Sequence, residues 1–382
     1  MGYENPSRAL LEEGFAADNN RIKKKVSLRV IPMLFVLSFV SYLDRTNLAF
    51  VRSELEDSLS INDTDFGLGA GFFFAGYATF QIPANRLLRW FGGVRWISFI
   101  AFGWGLCTCA IAFNTGKVDF WVTRFVLGLF EAGFYPGTIV YLRSFYCDED
   151  FGLPYALTLA ATCIALCVGG PVITGIESIS KSLDPDPAFW EPWRICFLVQ
   201  GGAAVVCSIV LYLVQPRDIT SCSFLTIEEK RLWYFKVNNR RIEERSSGSS
   251  GPVISSQSKP ETYDANFSEL LKIPTMYLYA IGWFLFDLPY WGFIYWTPTI
   301  VEDFEEGESN SDFALALISS IPYLGACIGN VGFAYSAQRY KKRLLHQALA
   351  CVCAFFGLML ASLCSNSSIK VGGLFLAGAG LW

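Results

Sequence analysis

Histidine is almost missing from this chain: His346 is the single one in 382 residues. That scarcity excludes a metal centre built from several histidines, and the lone His346 follows a basic loop with no nucleophilic triad around it. Cysteine is present in twelve copies, including the C-x-C pairs Cys107/Cys109 and Cys351/Cys353. Both pairs lie in apolar stretches with no histidine beside them, so they read as small core filling rather than ligands or redox centres. No glycine-rich phosphate loop or ATP-binding segment is found. An enzyme, an ATP-driven pump, a bound metal and an organic cofactor are therefore not expected, nor is a nucleic-acid partner.

Charge is scarce as well, at 17% of residues against 53% hydrophobic and 16% aromatic. A soluble domain averages about 25% charged residues. The apolar residues form about ten runs long enough to cross a bilayer, near 26–51, 66–88, 94–113, 119–142, 152–176, 193–214, 274–298, 312–335, 344–364 and 369–382. The leading MGYENPSRALLEEGFAADNN is polar and acidic, so the first span itself is expected to direct insertion. An all-α, polytopic membrane protein in contact with the lipid bilayer follows.

Lysine and arginine set the expected orientation. Arg21, Lys23, Lys24 and Lys25 precede the first span, Arg86, Arg89 and Arg95 lie between spans two and three, and Arg339, Lys341, Lys342 and Arg343 lie between spans eight and nine. By the positive-inside rule these sides, and the N-terminus, are cytoplasmic, most simply at the plasma membrane. The alternate loops SELEDSLSINDTD and EDFEEGESNSD are acidic, and the sequons at Asn62 and Asn366 fall on that outer side. One inner loop, Cys147-Asp-Glu-Asp150, is acidic against the trend.

A polar stretch divides the spans. Residues 1–25 form a cytoplasmic tail, 26–214 a six-helix bundle, 215–273 a cytoplasmic linker and 274–382 an incomplete bundle of four spans. Within the linker, FLTIEEKRLWYFKVNNRRIEERS has helical apolar spacing among mixed charges, which predicts an amphipathic helix on the inner surface. Six spans, a linker and a second set form the pattern of a secondary transporter with its site between two bundles. About ten of twelve helices are then present, and the chain is expected to be C-terminally truncated.

Inside the fourth span, Arg124 and Glu131 stand seven residues apart with Gly128 between them. Positions i and i+7 share a helical face, and an ionisable group in a bilayer is costly unless it faces a partner or a polar cavity. The first span carries Asp44 and Arg45 before Leu48, Ala49, Phe50 and Val51 continue the apolar run. Asp44 and Arg124 each lie about five residues from the outer ends of their spans, so an ion pair between them is geometrically plausible, with Glu131 roughly 10 Å deeper.

The residues around these charges resemble the anion:cation symporters of the major facilitator superfamily. SYLDRTNLAF, Ser41 to Phe50, is similar to the family's first-span signature, and RFVLGLFEAGFYPGTIVYL, Arg124 to Leu142, to its fourth-span signature. QIPANRLLRWFGGVRW, Gln81 to Trp96, resembles the loop joining spans two and three, with Asn85 where aspartate is usual. Gln200 stands where the family has glutamate, and FAYSAQRYKKR is a decayed second gating loop. The resemblance implies a major facilitator fold and proton-coupled uptake of a small organic anion by a monomer, with sodium coupling or exchange open.

A guanidinium fork matches a carboxylate, so Arg45 and Arg124 are the candidates to hold such an anion. Glu131 and Asp44 are the candidates for proton coupling, and the resemblance adds Tyr42 and Tyr77 as substrate-facing aromatics. Asp287, two residues before Pro289, is a candidate to bind a cation or ammonium, or faces a wide vestibule with no specific role. Gln81, with Asn47 and Gln200, either lines the path or joins helices. Tyr290, Trp291, Tyr295 and Trp296 are candidates to stack on a planar substrate, and an interfacial belt explains the later pair, Tyr295 and Trp296, equally well. A non-transporting receptor, regulatory relative or inactive truncated product is the alternative.

Overall fold

The computed structural model describes residues 6–183, 190–247, 272–304, 312–340 and 343–381, and among these there are helices and turns but no strand. All ten apolar runs fall on helices: α1 (Pro6–Phe50), α3 (Asp63–Phe91), α4 (Gly93–Ile111), α5 (Lys117–Glu131) with α6 (Phe134–Arg143), α7 (Asp148–Leu183), α8 (Pro192–Val214), α10 (Pro274–Phe304), α11 (Asp312–Tyr340), α12 (Arg343–Leu363) and α13 (Ser367–Leu381). Two further helices, α2 (Arg52–Leu59) and α9 (Ile227–Ser247), complete the order. Six segments are by themselves long and apolar enough to cross a membrane: Asp18–Phe50, Gly93–Ile111, Lys117–Arg143, Asp150–Ser180, Pro192–Val214 and Leu345–Leu363. The protein is a multi-pass membrane protein.

The run over 119–142 is not one helix. Helix α5 stops at Glu131 and α6 starts at Phe134, with a turn at Ala132 and Gly133. Pro136 explains the break: it has no N–H to give the Ala132 carbonyl, and its ring crowds that carbonyl. Glu131 thus ends a helix instead of lying in the middle of one. At the other end of the chain, α1 begins at Pro6, so the polar segment expected as a tail is helical over its described part. The expected truncation at Trp382, the acidic loop of residues 305–311, and Lys341 and Lys342 lie outside the described residues.

Helices α1 to α8 pack on one another, as do α10 to α13, and the two sets meet where α7 lies along α11 and α1 against α10. Backbone contact holds α3 to α5: a Cβ on Gly128 would collide with the Phe73 carbonyl, and one on Gly76 with the Phe125 carbonyl. Gly71, in contrast, faces open space and is no packing point.

Helix α9 is fastened to the first set. Thr226 and Glu229 form a capping box, each side chain taking the other's backbone N–H at 3.2 and 3.1 Å. Trp233 is fully buried and donates its indole N–H to the Phe145 carbonyl at 2.8 Å. Glu229 accepts from Lys25 Nζ at 2.6 Å, and this contact with the Thr226 N–H holds its carboxyl below the usual range. Asp150 accepts from Lys23 at 2.6 Å and from Lys236 at 2.8 Å. The acidic loop that breaks the charge trend is therefore the anchor between α1 and α9.

Substituting Gly128→Leu forces α3 and α5 apart and should lower the thermal midpoint of the detergent-solubilised protein, overpacking costing about 1–3 kcal/mol. Gly71→Ala should leave that midpoint in place; equal effects at both positions would refute the backbone contact.

Candidate functional site

Four charged side chains are buried together between α1 and α5. Glu131 is 1% exposed, and all of its hydrogen-bond partners come from α1. Its Oε2 accepts from Arg45 Nε at 3.1 Å and Nη2 at 2.8 Å, while its Oε1 accepts from Ser41 Oγ at 2.7 Å. Ser41 and Arg45 are one turn apart on α1, so a single helical face presents both donors. Both oxygens of the carboxylate are occupied.

Asp44 and Arg124 are held less fully. Asp44 Oδ2 accepts from Thr108 Oγ1 of α4 at 2.9 Å, and its buried Oδ1 has no hydrogen-bond partner. Arg124 is 0% exposed, and none of its three guanidinium nitrogens makes a hydrogen bond. Its cation rests over the Phe73 ring, 4.7 Å from the centroid, and within electrostatic range of Asp44. A fully desolvated guanidinium without hydrogen bonds is costly by several kcal/mol. The ring face and Asp44 offset part of that cost, a cation–π contact contributing about 0.5–2 kcal/mol.

Aromatic side chains from four helices wall the cluster. Arg45 stands within 5.2 Å of the Tyr42 and Trp291 ring centroids, 5.3 Å of Phe73 and 5.7 Å of Tyr77. Tyr42 stacks on Trp291 at 6.4 Å, and its hydroxyl lies 3.3 Å from that of Tyr290. Phe74 meets Trp291 edge-on at 5.2 Å, and Tyr135 of α6 meets Tyr42 edge-on at 6.4 Å. The Tyr135 and Tyr295 hydroxyls are buried without hydrogen bonds. Helix α10 thus covers the site with Tyr290, Trp291 and Tyr295, and the second set of helices adds aromatic surface to charges that all come from the first.

The residues singled out from the sequence divide accordingly. Tyr42, Asp44, Arg45, Tyr77, Arg124 and Glu131 come together. The expected Asp44–Arg124 pair is not among the described ion pairs; the ion pair formed is Arg45–Glu131, because α1 presents Arg45 and Ser41 at the end of α5. Asp44 bonds Thr108 and forms no hydrogen bond with either arginine. Gln81 and Asp287 are half-buried and make no contact with the four charges among the described hydrogen bonds and ion pairs. Asn47 and Gln200 are buried, with both side-chain polar atoms of each unpartnered. Trp296 is 52% exposed under Arg52, the place of a belt residue, whereas Trp291 faces the site.

Sequence reasoning passed over Ser41, Phe73, Phe74, Thr108 and Tyr135. Two of these carry a local signal: Ser41 lies four residues before Arg45 and Tyr135 four after Glu131, one turn from a charge in each case. Thr108, on α4, carries none, since its role depends on how α4 packs.

Comparison with known proteins agrees with this architecture. The model of the Major Facilitator Superfamily matches residues 34–382. A quinolone resistance transporter of Acinetobacter baumannii is 30% identical over 326 residues, 85% of this chain and 69% of that protein. A putative tartrate transporter of Agrobacterium vitis is 27% identical over 345 residues, 90% of this chain and 71% of its own length. Among solved structures, an inward-facing, unoccupied bacterial homologue of the human lysosomal transporter Spinster superposes with a TM-score of 0.63 at 15% identity, covering 94% of this chain and 73% of that one. Fold, buried charges and family match converge: the chain belongs to the Major Facilitator Superfamily.

Proposed function

We propose that this transporter is a secondary active symporter of the anion:cation type, which carries a small organic carboxylate inward together with protons. The N-terminal tail, α9 and the linker of residues 215–273 face the cytoplasm at the plasma membrane, and helices of residues 26–214 and 274–382 form the two rocking bundles. The observation that carries this reading is Arg124, a fully buried guanidinium whose five N–H groups have no hydrogen-bond acceptor in the protein. A carboxylate is the ligand that fits such a fork, accepting two parallel charge-assisted hydrogen bonds. The relative named a tartrate transporter supports the substrate class.

Charge balance supplies the coupling. Two arginines and two carboxylates sum to zero, so an entering anion adds a negative charge to a site walled by aromatic rings. A proton offsets that charge. When the anion competes for Arg45, Glu131 loses its two guanidinium bonds and keeps only the Ser41 hydroxyl, a buried carboxylate without a counter-charge that the site tolerates only once a proton neutralises it. Asp44, with one oxygen free of hydrogen bonds, holds Arg124 by charge alone while the site waits for substrate. Tyr42, Tyr77 and Trp291 keep water from Arg45 and offer ring faces to the organic part of the substrate.

Arg124→Lys keeps the charge but loses the planar fork. With surface expression at the wild-type level, uptake of labelled carboxylates should fall to a small fraction; normal uptake would remove Arg124 from the substrate site.

Glu131→Gln retains one acceptor for Arg45 but cannot titrate. In proteoliposomes, anion-for-anion counterflow should persist while accumulation driven by a proton gradient disappears. Wild-type accumulation would move the coupling site, with Asp44 the next carboxylate to replace.

A further inference from the structure

Three thiols meet where the two sets of helices touch. Cys163 and Cys167 are one turn apart on α7, on the face toward α11. Cys167 Sγ lies 3.6 Å from Cys327 Sγ of α11, and Asn330, one turn further along α11, donates its Nδ2 to Cys163 Sγ at 3.6 Å. These two contacts fix the register of the helices, 163 against 330 and 167 against 327. Cys163 is buried, whereas Cys167 and Cys327 are half-buried. Among the described residues no group of three metal-ligating side chains is arranged to hold an ion, so the cluster offers thiol chemistry instead.

We propose that Cys167 and Cys327 are an oxidisable pair whose disulfide staples the first set of helices to the second. From van der Waals contact at 3.6 Å, bond formation needs the sulfurs to close by about 1.5 Å. With a peroxide as oxidant, one thiol loses its proton and attacks a peroxide oxygen to become a sulfenic acid, and the hydroxide expelled takes up that proton as the first water. The second thiol then attacks that sulfur, forming the S–S bond and releasing the second water. The two thiols give up two electrons and two protons, and the peroxide is reduced to two waters. A covalent link between α7 and α11 ties helices that must move against each other, so the oxidised protein stops transporting. That last consequence rests on the symport reading given above; the link itself does not.

The test separates the two. A protease site is inserted between α9 and α10 of the otherwise full chain, and membranes are treated with hydrogen peroxide, cleaved, and run on non-reducing gels. The two fragments should stay joined after peroxide and separate with dithiothreitol. Cys167→Ser and Cys327→Ser should each abolish the joined band, and Cys163→Ser should keep it. Separate fragments in the oxidised wild type would overturn the pair, as would a joined band that survives both single substitutions or one lost in Cys163→Ser. In uptake assays the peroxide-treated wild type should lose most of its transport and regain it with dithiothreitol, while Cys167→Ser stays active. Joined fragments with undiminished uptake would overturn the staple as a lock. A protein with no uptake before oxidation would count against the symport reading alone, since the gel reads the bond without transport.

Discussion

The Arg45–Glu131 ion pair is the constraint around which the site is arranged. Two guanidinium nitrogens and one hydroxyl from α1 satisfy both oxygens of a carboxylate at the end of α5, in a region from which water is excluded. Removing either partner strands a buried charge at a cost of about 3–5 kcal/mol, so the relative position of α1 and α5 is tied to the charge state of the pair. Everything near it follows. With Glu131 committed to Arg45, Arg124 is left without a hydrogen-bonding partner, and Asp44 turns to Thr108. The break before Pro136 belongs to the same arrangement, because it lets α5 end at the carboxylate and α6 start at a new angle with Tyr135 against Tyr42.

Much of this is legible along the chain. Apolar runs alone place every described long helix except the amphipathic α9, since a membrane helix must satisfy its backbone internally and cover itself with apolar side chains. The seven-residue interval from Arg124 to Glu131 is sufficient to put both on one face, and the motifs around Asp44, Arg45, Tyr42 and Tyr77 point to the same pocket. Partner choice is not legible. Whether Glu131 meets Arg45 or Arg124 depends on the rotation of α1 about its axis, which is set by packing against α7, α8 and α10. Asp287 illustrates the converse: a mid-span acid beside a proline reads like a site residue, yet the turn of α10 that faces the charges carries Tyr290, Trp291 and Tyr295 instead. The acidic loop at Asp150 is likewise anomalous only until Lys23 and Lys236, 127 and 86 residues away in sequence, are placed beside it.

The polar groups of the site are divided unequally between the halves. All four charges come from helices that precede residue 215, and α10 contributes aromatic surface and hydroxyls. An anion held by Arg124 would therefore be gripped by one half and enclosed by the other. Closure by rings needs no new ion pair to form or break, which keeps the electrostatic cost of moving the second half low.

The docking of α9 also has a thermodynamic side. Docking through Trp233, Glu229 and Lys236 moves the last residue tied to the first set from Val214 to the end of α9, so the sequence separation to α10 falls from 59 residues, 215 to 273, to 26, 248 to 273. Loop-closure entropy falls with tether length, by about 0.6 kcal/mol for each halving. A helix with no residue in the candidate site thus raises the effective concentration of one set of helices in the presence of the other.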